Sequence, residues 1–339
     1  MIERLAVLGA GNWGRNLLRN FCDLLGPQRV VCCDPDLNVL QRAERAYPGL
    51  TTYPTPGAIW EEDGVAAVVV ATPAATHFEL AEQALQANKH VLVEKPLTMA
   101  SQEAETLCRL AEERDRVLMV DHLLLYHPAV EYLFNQVRSG KLGSIYYLYS
   151  QRINLGIVRT DENALWSLGP HDIAVMLELL GAEPMQVVAH GGNYLQKDRH
   201  IEDVVFLAMT FSGGEIAQLH LSWLDPHKMR KITIVGSERM ITFDDMEPME
   251  KVKLYDTGVT IQPQDVGPQV RYGDILIPSF PLGEPLRAVC QHFLDCVETG
   301  ATPRSDGLAG LKVVRVLEAA QRSLENRGKP VELKVAGWP

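Results

Sequence analysis

The chain has 339 residues, 46% of them hydrophobic and 22% charged, the balance of a soluble globular protein with room for two ordinary domains. It carries 43 acidic against 32 basic side chains, a net charge of -11, which argues against sequence-independent nucleic-acid binding because that depends on neutralising phosphates. An anionic ligand must be held by local cations or backbone donors, not by the overall field.

From the N-terminus, "RLAVLGAG" is a short apolar run ending in glycines. "GRNLLRNFCDLL" has apolar residues at helical spacing and is closed by Gly26 and Pro27. "RVVCCDPD" and "VAAVVVATP" are further apolar runs, the latter unbroken by polar residues, as in a parallel strand covered on both faces. Helix "FELAEQALQAN", strand "HVLVEKP", helix "SQEAETLCRLAEER" and strand "VLMVDH" follow. Alternation with short connections predicts a doubly wound parallel sheet over residues 1–122.

The rhythm then changes, and residues 123–339 are expected to form a second α/β domain with an open, mainly antiparallel sheet. "HPAVEYLFNQVRSG" reads as a helix, "SIYYLYSQRI" as a strand, and "HDIAVMLELLG" as a helix capped by Gly181. Strand patterns crowd residues 185–245, residues 247–283 carry no assignable pattern, and two helices are expected near 284–298 and 306–326. The closing helix has the option of packing back on the first domain. The N-terminus "MIERLAVLGAG" lacks the pattern of a secretory signal, and no run of about 18 apolar residues occurs, so no membrane partner is expected. Six cysteines without a C-x-x-C pair fit a reduced, cytoplasmic protein.

"VLGAGNWG" places Gly9, Gly11 and Gly14 in the G-x-G-x-x-G pattern, between an apolar strand and an amphipathic helix. The glycines allow the tight turn, the approach of a pyrophosphate and close packing of helix on strand, and the helix N-terminus offers free N–H groups. Asn12 and Trp13 lie within this loop. Asp34 follows at the end of the second strand, where an acid binds ribose hydroxyls. It would repel a 2′-phosphate, and neither Arg nor Lys follows it directly, so NAD is favoured over NADP.

The glycine loop, "ATPAATH" and "EKP", in that order, resemble the Gfo/Idh/MocA family of sugar and cyclitol dehydrogenases. The resemblance covers nearly the whole chain and implies a Rossmann domain followed by an α/β domain whose open sheet forms homodimers or homotetramers. Lys95 closes a parallel strand, at the end where ligands bind, and Pro96 disfavours the helical region for it. In the family this Lys–Pro bond tends to be cis, and Lys95 takes part in proton transfer at the substrate hydroxyl. Glu94 positions the lysine or the cofactor, Thr72 and Pro73 line the cofactor groove, and His77 is either a cofactor residue or a structural contact.

His171, after Gly169 and Pro170, is expected to start a helix, and the resemblance makes it the acid/base partner of Lys95. Many members have an aspartate four residues earlier, where this chain has Ser167. "RINLGIVRTDENALWSLGPHDI" further resembles the WlbA-like 3-dehydrogenases of nucleotide-linked sugars such as UDP-N-acetylglucosamine or its uronic acid. Arg152 and Arg159, with Asn154 and Asn163, are the candidates for holding a diphosphate or uronate, against the alternative of ion pairs on a surface loop. Tyr126 and Trp166 are candidate cleft aromatics that are equally at home in a core. No H-E-x-x-H pattern or Cys/His cluster points to a metal. The leading reading is NAD-dependent oxidation of the C3 hydroxyl of a nucleotide sugar, for surface-polysaccharide sugars. The alternatives are the same chemistry on a free sugar or cyclitol, and a cofactor-binding regulator without turnover.

Overall fold

The computed structural model describes residues 2–62, 64–199, 201–261, 267–281 and 283–333. In chain order the first part comprises β1 (Arg4–Leu8), α1 (Gly14–Leu25), β2 (Val30–Cys33), α2 (Leu37–Ala46), β3 (Thr51–Tyr53), α3 (Gly57–Glu61) and β4 (Val65–Val70). It continues through α4 (His77–Gln86), β5 (His90–Glu94), α5 (Ser101–Glu113) and β6 (Leu118–Asp121). The six strands pair in parallel in the order β3-β2-β1-β4-β5-β6. Leu5 to Leu8 of β1 and Ala67 to Val70 of β4, in strands covered on both faces, are all buried, which is why these segments read as continuous apolar runs.

The second part runs through α6 (Pro128–Arg138), β7 (Ile145–Ile153), α7 (Ala164–Leu180), β8 (Gln186–Gly192), β9 (Val204–Thr210), β10 (Ile216–Ser222), β11 (Met229–Gly236) and β12 (Met240–Asp244). Residues without an assignable sequence pattern supply β13 (Val252–Tyr255), β14 (Gly258–Ile261), β15 (Pro268–Arg271) and β16 (Ile275–Leu276). The chain closes with α8 (Pro285–Thr299), α9 (Gly307–Glu325) and β17 (Val331–Glu332). Nine strands form one sheet in the order β16-β13-β12-β11-β7-β10-β9-β8-β17, antiparallel except for the β7–β10 pair. Helix α7 packs on β7, β9 and β10, and α6 packs on α7 and β12. Facing them, Leu148, Ser150 and Arg152 of β7 are buried, while Tyr147 and Tyr149 point the other way and are exposed.

The chain divides into two units, Met1–Tyr126 with Gly283–Val314, and His127–Leu282 with Arg315–Pro339. By its contacts the first unit runs on to Tyr126, and part of the C-terminal region groups with the parallel sheet. Two observations explain the second point. Leu286, Val289, Cys290 and Phe293 of α8 join the core made by Leu17, Phe21 and β1, with Phe293 edge-on to Phe21 at 6.5 Å. The Ser305 hydroxyl donates to the Val120 carbonyl (2.6 Å), and the Val120 N–H donates to the Ser305 carbonyl (2.8 Å).

Helix α7 also starts earlier than His171. The Asn163 side chain caps it, accepting from the Trp166 N–H (3.2 Å), and Pro170 sits inside the helix. A Gly-Pro pair reads as a helix boundary because proline lacks the donor. Here capping and the burial of Ala164 to Ser167 carry the helix through it.

Candidate active site

In the first unit, β1 ends in the glycine loop. Gly9 has φ +85°, where a side chain is strained, and a Cβ there would lie 2.8 Å from the Ala71 carbonyl oxygen. A Cβ at Gly14 would overlap the Gly9 carbonyl, so this glycine is required by the close approach of α1 to the loop. At Gly11 a Cβ would meet no described atom within 4 Å. The described residues do not require glycine there, and the open space suits a ligand lying against the backbone. Asn12 and Trp13 are exposed beside it, and no described side chain caps the first turn of α1, where the Arg15 and Asn16 N–H groups donate to the Gly11 and Trp13 carbonyls (3.3 and 2.8 Å). Asp34, at the end of β2, is buried and accepts from the Ala10 N–H (2.9 Å) and the Asp36 N–H (2.9 Å). It thus shapes the loop, and its carboxylate retains acceptor capacity for a ribose hydroxyl. Loop, helix terminus and acid fit a dinucleotide.

Thr72 and Pro73 follow β4; Thr72 is half-buried and Pro73 exposed. His77 is fully buried, and its ring is held between two backbone carbonyls, with Nδ1 2.8 Å from Pro96 O and Nε2 2.9 Å from Thr72 O. The neutral ring donates to one of these carbonyls, and the side chain ties together the two loops that carry Thr72 and Lys95. Burial lowers its pKa, outweighing the two carbonyls that favour the proton, and Lys95 lowers it further.

Lys95 is half-buried at the carboxyl end of β5, and the Lys95–Pro96 peptide is cis. Glu94 is buried, and its Oε2 accepts from the Lys95 N–H (3.1 Å). Next to it in register stands Asp121, the last residue of β6, followed by His122; both are buried. Burial raises the Glu94 carboxyl well above its ordinary range, and the neighbouring Asp121 adds to this. Burial also raises Asp121, and it pushes His122 down to about 3. Sequence reasoning passed over Asp121. The signal that finds it is an acid at the end of the strand neighbouring Glu94, which becomes visible once strand order is known. Tyr126 is half-buried in this unit, with its hydroxyl 2.9 Å from the Ser305 hydroxyl.

In the second unit, His171 is half-buried on α7. Arg152 and Asp172 form a buried bidentate pair, Nε to Oδ2 at 2.7 Å and Nη2 to Oδ1 at 3.1 Å. Burial alone would lower the Arg152 pKa, but the charge and hydrogen bonds of Asp172 hold it above the ordinary value. Arg152, the candidate for a diphosphate or uronate, thus engages Asp172 through Nε and Nη2. Arg159 is half-exposed and lies 3.7 Å from Glu162, the surface-loop ion pair that was the alternative. The Asn163 amide donates to Glu202 (2.7 Å) and Gln321 (3.0 Å), and the Trp166 indole donates to Gln321 (3.3 Å); both residues are buried in this unit. Asn154 is half-buried, with its N–H donating to the Ser222 carbonyl (3.0 Å). A cation missed in the sequence is Arg230, the register partner of Arg152, which lies 3.9 Å from Asp245. Asp245 is also approached by Lys251 (3.5 Å) and His127 (3.9 Å).

A family model described as "Oxidoreductase family, NAD-binding Rossmann fold" matches residues 3–122, and the GFO/IDH/MocA C-terminal domain matches residues 131–242. UDP-N-acetylglucosamine 3-dehydrogenase of Acidithiobacillus ferrooxidans is 29% identical over 313 residues, covering 92% of this chain and 94% of the relative. A solved structure of that enzyme superposes with a TM-score of 0.80 at 27% identity, covering 96% of this chain and 98% of its own. The scyllo-inositol 2-dehydrogenase (NAD(+)) of Bacillus subtilis is 24% identical over 345 residues, 98% of this chain and 96% of the relative. GenD2 from gentamicin A biosynthesis, solved in complex with NAD, has a TM-score of 0.81 at 26% identity, covering 99% of this chain and 98% of its own.

Proposed function

Because the chain belongs to the Gfo/Idh/MocA family of NAD-binding oxidoreductases, we propose that it oxidises the C3 hydroxyl of a nucleotide-diphosphate sugar, of the UDP-N-acetylglucosamine or corresponding uronate type, to a ketone. The observation that carries the reaction type is Lys95 at the carboxyl end of β5, in the unit that also holds the glycine loop, with Glu94 anchoring its backbone. Bound NAD supplies the hydride acceptor. Gly11 and the first turn of α1 hold the pyrophosphate, Asp34 the ribose, and Thr72 and Pro73 flank the groove. Lys95 takes the hydroxyl proton during oxidation and returns it to the carbonyl in the reverse direction. His171 is proposed as a second proton-handling group.

The nucleotide-sugar assignment leans on the Acidithiobacillus relative. A second reading, oxidation of a free sugar or cyclitol, gains from the commitment of Arg152 to Asp172 and from the Bacillus inositol dehydrogenase. Self-association is proposed through the sheet face that exposes Tyr147, Tyr149, Phe206 and Ile216, and sedimentation of the parent against Phe206→Asp tests it. The deciding experiment offers NAD with UDP-N-acetylglucosamine, its uronic acid, myo-inositol or glucose, and follows NADH absorbance and product mass. Loss of two hydrogens from a UDP-sugar alone supports the first reading. Turnover of inositol or glucose alone supports the second. A keto product without free NADH means the reduced cofactor is retained.

A further inference from the structure

Strands β5 and β6 end side by side on two acids. Glu94 and Asp121 are register partners, 8% and 1% exposed. The only donor at hydrogen-bonding geometry among the described residues is the Lys95 N–H on Glu94 Oε2; Glu94 Oε1 and both Asp121 oxygens have none. Two ionised carboxylates here would repel each other, and three buried oxygens would lack a donor. One proton between them removes the repulsion and supplies a hydrogen bond.

Among the described residues the surrounding groups leave the pair one charged neighbour. Lys95 and Cys290 couple to it, and His122 couples to Lys95. Burial, then Lys95, keeps His122 neutral, and burial keeps the Cys290 thiol protonated on α8, where Glu284 and Arg19 act on it as well. The cation is Lys95. Burial raises both acids, and Asp121 raises Glu94 further, so the proton resides mainly on Glu94.

We propose that Glu94 and Asp121 share one proton and act as a single buried anion, the fixed counter-ion that sets how readily Lys95 releases its proton. Its catalytic meaning rests on the reading of Lys95 as the proton-handling residue. Asp121 then acts through Lys95 as a positioning residue, and the pair stabilises the ammonium form that protonates a carbonyl in the reductive direction.

The test is a titration of Lys95 itself. Lysines are reductively methylated with ¹³C-labelled reagent, and the Lys95 resonance is identified by its loss in Lys95→Arg. In Glu94→Gln the remaining Asp121 keeps the charge, so the Lys95 midpoint stays at the parental pH. In Glu94→Gln/Asp121→Asn the charge is gone, and the midpoint falls by about 1–3 pH units. A stepwise fall, with Glu94→Gln alone already lowering the midpoint, means both acids are ionised and overturns the shared proton. An unmoved midpoint in the double variant overturns the counter-ion role. If the double variant does not fold, infrared spectra of the parent and Glu94→Gln decide: a protonated-carboxyl stretch at neutral pH that vanishes in Glu94→Gln is expected, and its absence from the parent overturns the proposal. Neither measurement uses a sugar, so failure of the nucleotide-sugar reading leaves both intact.

Discussion

Replacing Arg152 by methionine separates a structural role from a substrate role. The substitution removes two hydrogen bonds, at 2.7 and 3.1 Å, from an Asp172 whose side chain is 2% exposed. A buried carboxylate stripped of its partner costs about 3–5 kcal/mol. Arg230 also feels Asp172 and offsets part of the loss, which places the expected value near the lower end of that range. In Arg152→Met/Asp172→Leu no charge is left unpaired, and most of the stability returns, because well-packed apolar groups replace buried pairs at little net cost. Urea unfolding followed by circular dichroism gives these free energies, and the Asp172→Leu single variant completes the cycle that gives the coupling. The reasoning is refuted if Arg152→Met unfolds within about 1 kcal/mol of the parent while KM for UDP-N-acetylglucosamine rises about tenfold or more. That result would make Arg152 a substrate ligand after all.

Gly11→Ala is expected to leave the unfolding midpoint unchanged, since a Cβ there meets no described atom within 4 Å, and to weaken NAD binding measured by calorimetry. Gly14→Ala forces a methyl into the Gly9 carbonyl and should cost about 1–3 kcal/mol of stability. Lys95→Met should lower kcat by about 10²–10⁴-fold with NAD affinity retained, read by stopped-flow turnover and calorimetry; undiminished kcat would remove Lys95 from the mechanism. His122 is neutral in the folded protein, with its pKa pushed from 6.5 down to about 3, so below pH 6.5 the unfolded chain binds the proton first and stability falls with pH. The loss attributable to this ring reaches about 2 kcal/mol at pH 5 and continues toward pH 3. Neither ring nitrogen has a hydrogen-bond partner among the described residues, so His122→Leu should flatten that part of the pH–stability curve. An unchanged slope would place the acid sensitivity elsewhere.

Local pattern was enough for much of the architecture. Continuous apolar runs such as "VAAVVV" and glycine-closed helices placed the parallel sheet, because burial on both faces and helix termination are written in adjacent residues. The glycine loop and Asp34 were legible for the same reason: their spacing along the chain is the geometry of the turn. The short strands β13 to β16 were not, since two to four residues carry no period. Nor was the start of α7, because the Asn163 cap and the packing of Ala164 to Ser167 override a proline that locally signals a boundary.

The linear order of residues was sufficient to say which types stand at three strand-end positions: Asp34, Glu94 and Lys95. Their partners came from folding alone. It paired Arg152 with Asp172, 20 positions away, both ring nitrogens of His77 with the carbonyls of Thr72 and Pro96, and Asp121 with Glu94 across neighbouring strands. The physical reason is that a charge's role depends on what surrounds it after burial. Partner and solvation are set by strand order and helix packing between distant segments, which one-dimensional spacing does not encode.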